Sequence, residues 1–169
     1  MFDCKILLIS LLRESHRNLS CLSLFSFLRA NDIQAELLFL PKEEEFDESS
    51  IKRFIISNEY TIIGISVMTD NYYFAQSLTI FIKKHVSNVH VIWGGIHPTL
   101  KPEECLTCAD SICIGEAEAT LLPILQNISQ NLDISTLPGV GIRLKDGNII
   151  TNPPLLVNDL DSLPIVTYD

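Results

Sequence analysis

Two stretches of this chain carry residue types that can hold a ligand. The first is Gly94-Gly95-Ile96-His97-Pro98-Thr99: adjacent glycines admit a group against the backbone, Pro98 stiffens the exit, and His97 can donate or accept a hydrogen bond. A tight strand-to-helix turn would use the same double glycine, but the His-Pro-Thr that follows tilts the reading toward a ligand loop. The second is Cys105-x-x-Cys108 with Cys113 and His97 nearby, thiolates and an imidazole that are zinc or cluster ligands by type. That spacing is incomplete. Cys113 lies in the apolar run Ser111-Ile112-Cys113-Ile114, where a thiol serves as a small core hydrophobe. No metal ligand and no catalytic residue is therefore assigned.

The elements that must position these residues alternate in type. Short runs rich in Ile and Val, at Lys5–Leu11, Gln34–Leu40, Thr61–Val67, Val89–Trp93 and Asp110–Ile114, read as strands. Between and after them, segments with helical spacing predict helices over Asn18–Ala30, Asp47–Ser57, Asn71–Val86, Pro102–Thr107 and Thr120–Ile128. Strands apolar at nearly every position imply a parallel sheet with helices on both faces. Right-handed crossovers then favour an α/β, flavodoxin-like, doubly wound five-stranded sheet of order 2-1-3-4-5. Pro123 is compatible with the last helix if that helix starts near Ala119 or Thr120, which lengthens the loop Gly115–Glu118. Extended runs at Gly139–Leu144 and Asn148–Thr151 flank Asp146-Gly147 and predict a C-terminal β-hairpin. Residues 1–151 are thus expected to form one domain, and 152–169, with Pro153-Pro154, a connector.

Composition narrows the function. Twelve Lys plus Arg against twenty-one Asp plus Glu give a net charge of −9, which opposes nucleic-acid binding in the absence of a basic stripe. The acidic run Glu43-Glu44-Glu45 with Asp47-Glu48 reads as a solvated loop. No apolar stretch approaches the roughly 20 residues that span a bilayer. Neither does the start resemble a secretory signal. Five cysteines scattered through apolar segments fit a reducing compartment, so a cytoplasmic location is expected. A phosphoacceptor receiver would need acidic residues after the first strand, where Leu11-Leu12 stand, an Asp ending the third, where Ser66-Val67 stand, and a Lys ending the fifth, where Gly115-Glu116 stand. A flavodoxin would need a phosphate-wrapping loop, and Leu12-Arg13-Glu14-Ser15-His16-Arg17 has no glycine.

In open parallel sheets ligands bind beyond the carboxyl ends of the strands, and there the chain shows a family pattern. Ile63-Gly64-Ile65-Ser66-Val67-Met68-Thr69, Val91-Ile92-Trp93-Gly94-Gly95-Ile96-His97-Pro98-Thr99 with Pro102-Glu103-Glu104, and Gly115-Glu116-Ala117-Glu118 look like the cobalamin (B12)-binding domain of B12-dependent radical-SAM proteins. Gly139, Asp146-Gly147 and Asp159-Leu160-Asp161-Ser162-Leu163-Pro164 continue the resemblance. It implies a corrin ring over the strand ends, with its nucleotide tail entering between the first and third strands beside Ser66 and the Gly94-Gly95 backbone. By the same resemblance Val67, Met68, Thr69, His97, Pro98, Thr99, Gly115 and Glu116 belong to the cofactor site. Glu14-Ser15-His16 is a loose echo of the Asp-x-His-x-x-Gly motif of cobalamin mutases, with Leu19 in place of Gly, so His16 is not expected to ligate cobalt. Ala117 also stands where the family commonly has Gly. The Cys-x-x-x-Cys-x-x-Cys motif that would hold an iron–sulfur cluster and S-adenosylmethionine is absent from these residues. The resemblance places that motif in a C-terminal radical-SAM module after Leu163-Pro164-Ile165-Val166-Thr167-Tyr168-Asp169, and the chain reads as the N-terminal module of a methyltransferase or cyclase. The domain alone is not expected to be catalytic. The competing expectation is a degenerate scaffold or substrate-gating domain that holds no cofactor.

Overall fold

A computed structural model describes residues 4–11, 18–40 and 47–166. The strands are β1 (Lys5–Leu11), β2 (Gln34–Leu40), β3 (Ile62–Ser66), β4 (His90–Gly94), β5 (Ser111–Cys113), β6 (Val140–Arg143) and β7 (Ile149–Thr151). The helices are α1 (Leu19–Ala30), α2 (Glu48–Ser57), α3 (Tyr72–His85), α4 (Ile96–Leu100), α5 (Pro102–Cys105) and α6 (Ala117–Ser129). The sheet order is β2-β1-β3-β4-β5-β6-β7. Its first five strands are parallel in the expected flavodoxin-like order, and the hairpin β6–β7 adds two antiparallel strands beside β5. That the hairpin extends the sheet was not foreseen.

Alternation along each strand sends side chains to two separate cores. Leu7, Ile9, Ile63, Ile65, Val91, Trp93 and Ile112 pack with α2 and α3 on one face; Ile6, Leu8, Ile62, Ile92 and Cys113 pack with α1 and α6 on the other. The fully buried Trp93 donates from its indole N–H to Thr79 Oγ1 at 2.9 Å, which fixes α3 on β4. Asn18 caps α1 by accepting from the Cys21 N–H, and Asp47 caps α2 by accepting from Ser49.

Two local expectations are corrected. The segment after Gly95, read as a loop, is the short helix α4, because Pro98 is its third residue and helix-start N–H groups need no intrahelical partner. Pro123 lies inside α6, which starts at Ala117 rather than Ala119 or Thr120. The loop before it is consequently shorter than expected. The buried Leu121, Ile124 and Leu125 hold α6 together across a residue that cannot donate to the Ala119 carbonyl.

Candidate functional site

Strand register sets two rows of residues under α1 and α6. Nearest the carboxyl ends, Ser10 pairs with Ser66 and Ser66 with Gly94, whose missing Cβ would lie 3.8 Å from the Cys113 Cβ. One step deeper, Leu8 pairs with Gly64 and Gly64 with Ile92. Gly94 leaves open space in the upper row, Gly64 leaves room for the Leu8 side chain, whose Cδ2 would lie 3.0 Å from an added Cβ, and both glycines line a cavity of about 740 Å³. Leu24 of α1, Leu121 of α6, Gly95, Ile96 and Thr99 are among the residues that line it. A volume of that size suits a small molecule or one arm of a larger one.

Polar groups stand in and beside this lining. Asn18 Nδ2 donates to Ser66 Oγ at 3.2 Å while its Oδ1 caps α1. Ser23 donates to Glu118 Oε1 at 3.0 Å, linking α1 to α6. The Cys21 thiol is pushed up by burial, an effect the adjacent Ser66 and Ser10 hydroxyls partly offset. Ser10 is fully buried, with its Oγ beside the Cys21 thiol. Thr99 Oγ1 donates to the Gly95 carbonyl at 2.9 Å and accepts from the Gly115 N–H at 3.1 Å, joining two rim loops. Residues 152–166 return to this rim. Val157 N donates to Glu116 Oε2 at 2.6 Å, and Val166 lines the cavity.

Of the residues singled out from the sequence, Ser66, Gly94, Gly95, Thr99, Gly115 and Glu116 line the cavity, whereas Val67, Met68, Thr69, His97 and Pro98 do not. Val67 is buried and is a backbone strut: its N–H donates to Gly94 O at 2.8 Å and its carbonyl accepts from the His97 N–H at 3.2 Å. His97 is buried too, with its ring 4.8 Å from that of Tyr72 and its Nδ1 3.3 Å from Thr69 Oγ1. Met68 and Thr69 are exposed at the strand ends. His16 and the rest of the loop Leu12–Arg17 lie outside the described residues, as does the run Glu43-Glu44-Glu45. Cys105 and Cys113 sit in cores on opposite faces of the sheet, each thiol pushed up by burial to about 12, so they do not share a site.

The site residues expected from the sequence do not include Gly64 and Glu118, although both stand in the motifs that carry the resemblance, nor Asn18, Cys21 and Ser23. Gly64 had a signal, a lone glycine inside an Ile-rich strand. The others converge only when α1 and α6 are laid on the sheet.

The model of a protein family described as the B12 binding domain matches residues 6–125. The chain belongs to the B12-binding domain family. This B12-binding domain is 30% identical over 131 residues to an uncharacterized methyltransferase of Pyrococcus horikoshii, covering 75% of this chain and 28% of that protein. It is 29% identical over 103 residues to an anaerobic magnesium-protoporphyrin IX monomethyl ester cyclase of Synechocystis sp., covering 59% of this chain and 21% of that protein. The B12-binding domain therefore spans under a third of these curated relatives. Its fold matches the cobalamin-dependent S-adenosylmethionine radical enzyme OxsB with aqua-cobalamin and S-adenosylmethionine bound, with a TM-score of 0.79 at 21% identity over 96% of this chain and 24% of that one. It also matches the radical S-adenosylmethionine methyltransferase TsrM of Kitasatospora setae with cobalamin bound, with a TM-score of 0.78 at 14% identity over 95% of this chain and 31% of that one.

Proposed function

We propose that this domain binds cobalamin, with the nucleotide tail in the cavity between α1 and α6 and the corrin over the carboxyl ends of the strands. The observation that carries the reading is the cavity beside Gly94, which a side chain there would narrow, at the carboxyl end of a B12-family sheet. The donor set is suited to such a tail. Ser66 and Asn18 offer hydroxyl and amide groups to a ribose or phosphate, and the apolar floor receives a flat base. Thr99, Gly115 and Glu116 would edge the ring directly, whereas Val67, Met68, Thr69, His97 and Pro98 would act by shaping the rim. Bound cobalamin supplies a cobalt centre that carries a methyl group or changes redox state.

The parent protein, in this reading, joins the domain through residues 152–169 to a radical-SAM module holding an iron–sulfur cluster and S-adenosylmethionine. The lengths and descriptions of its relatives support that, and they support a methyltransferase or cyclase reaction. Among the described residues no helix is long and apolar enough to cross a membrane. The buried thiols of Cys21, Cys105 and Cys113 support a cytoplasmic setting.

The test is a titration with hydroxocobalamin followed by its visible spectrum, on the native domain and on Gly94→Val. The native domain is expected to saturate and the variant to fail. A native domain that binds nothing would leave a scaffold without a cofactor.

A further inference from the structure

The loop Gly115-Glu116 serves two neighbours. Both residues line the cavity. Both also hold the segment that follows the hairpin: Glu116 Oε2 accepts from the Val157 N–H at 2.6 Å, and a Cβ added at Gly115, whose φ is +79°, would fall 2.8 Å from the Pro154 Cβ. The Gly115 N–H donates to Thr99 Oγ1 at 3.1 Å, and Thr99 lines the cavity as well. A group that moves or orders this loop therefore acts on residues 154–157 through contacts already made.

The segment itself is held unequally. Asn152 N donates to Val140 O at 2.9 Å, Asn152 Nδ2 to Ser135 O and Leu137 O at 2.7 and 2.8 Å, and Pro153 O accepts from Gly139 N at 2.9 Å. Val157 is fastened through its bond to Glu116. Beyond it, among the described residues, 158–166 hydrogen-bond only within themselves, around Asp159 and Leu160, and Leu160 and Ile165 are exposed. Few outside bonds and little burial put such a stretch at the low end of local stability, so a small free energy changes how often it is seated. Val166, at its far end, lines the same cavity.

We infer that the Gly115-Glu116 loop couples occupancy of the cavity to the seating of residues 154–166: a bound corrinoid holds the segment down, and the seated segment holds the corrinoid. The inference rests on the cobalamin reading. A ligand against the loop orders it, so the Glu116–Val157 bond then forms at a smaller entropy cost. Coupling of this kind is reciprocal, so the factor by which the corrinoid steadies the segment equals the factor by which the seated segment tightens the corrinoid. In that reading the segment leads to a radical-SAM module, and the state of the cavity is passed toward it at this joint.

The experiment measures amide hydrogen exchange across residues 152–166 of the full chain, with and without excess hydroxocobalamin, whose binding is followed by its visible spectrum. Exchange at Val157 and through 158–166 is expected to slow by about 5-fold or more, the lower end of coupling between linked sites. A spectrum that shows binding while exchange stays unchanged or quickens would overturn the coupling and leave cobalamin binding standing. No binding at all would overturn the cofactor reading and the coupling with it. Two variants read the reverse direction. Val157→Pro has no N–H for Glu116 and is expected to raise the Kd by the factor seen in exchange, whereas Val157→Ala keeps the N–H and is expected to bind like the native chain. An equal loss in both variants, or a loss in neither, would overturn the Glu116–Val157 bond as the link.

Discussion

Gly94 and Gly95 adjoin in sequence but meet different constraints. Gly94 has ordinary backbone geometry and its added Cβ would make only a 3.8 Å contact, so what a larger residue loses there is the cavity. Gly95 has φ +105°, and its Cβ would fall 2.8 Å from the Val67 carbonyl oxygen. Gly94→Val is therefore expected to keep its melting temperature while losing cobalamin. Gly95→Val is expected to lose about 2 kcal/mol or more of stability, roughly 4–8 °C, as the strained φ and the clash are relieved only by moving β3 or α4. Thermal melts followed by circular dichroism separate the two. His97 is legible as part of a motif but not in its direction, because the turn of α4 carries the ring back onto Tyr72 and away from the cavity.

At the scale of elements, the five parallel strands were legible because burial on both faces makes nearly every position apolar, and their order followed from the handedness of crossovers. Boundaries moved by a residue or two where the ladder ends, as at Thr61 and Ile114. The cavity walls were not legible in the same way. Asn18 and Glu118 look like an ordinary cap and an ordinary first-turn acid, and their meeting with Ser66 and Ser23 depends on how the helices lie on the sheet. Asn18→Ala should cost about 1 kcal/mol through the lost cap and weaken cobalamin binding through Ser66, readable as a lower denaturation midpoint and a higher Kd. Pro123 is exposed inside α6, so Pro123→Ala should restore a backbone donor to the Ala119 carbonyl. A gain of about 1–3 kcal/mol is expected in urea denaturation.

For the whole molecule, stability should vary with pH through groups that the fold keeps neutral. Burial lifts the Cys113 thiol from 9.0 to about 12. Its contribution is fully present below pH 9, where both states hold the proton. It is lost as pH rises toward 12, where only the unfolded chain ionises, at up to about 1.4 kcal/mol per pH unit. Denaturation midpoints between pH 8 and 11 should fall, and fall less steeply in Cys113→Ala. On the acid side burial holds His90 below its ordinary 6.5, so the unfolded chain takes up that proton first and stability declines as pH drops below that value. The sheet is also unequal at its margins. One margin is β7, three residues long; the other is β2, seven residues long, ending in Leu37-Leu38-Phe39-Leu40 and carrying a single charge, Glu36, that Lys5 already pairs at 3.1 Å. A long margin with so little charge is the kind that recruits a stray strand, so self-association during refolding should begin at β2, and a lysine at Leu38 should suppress it.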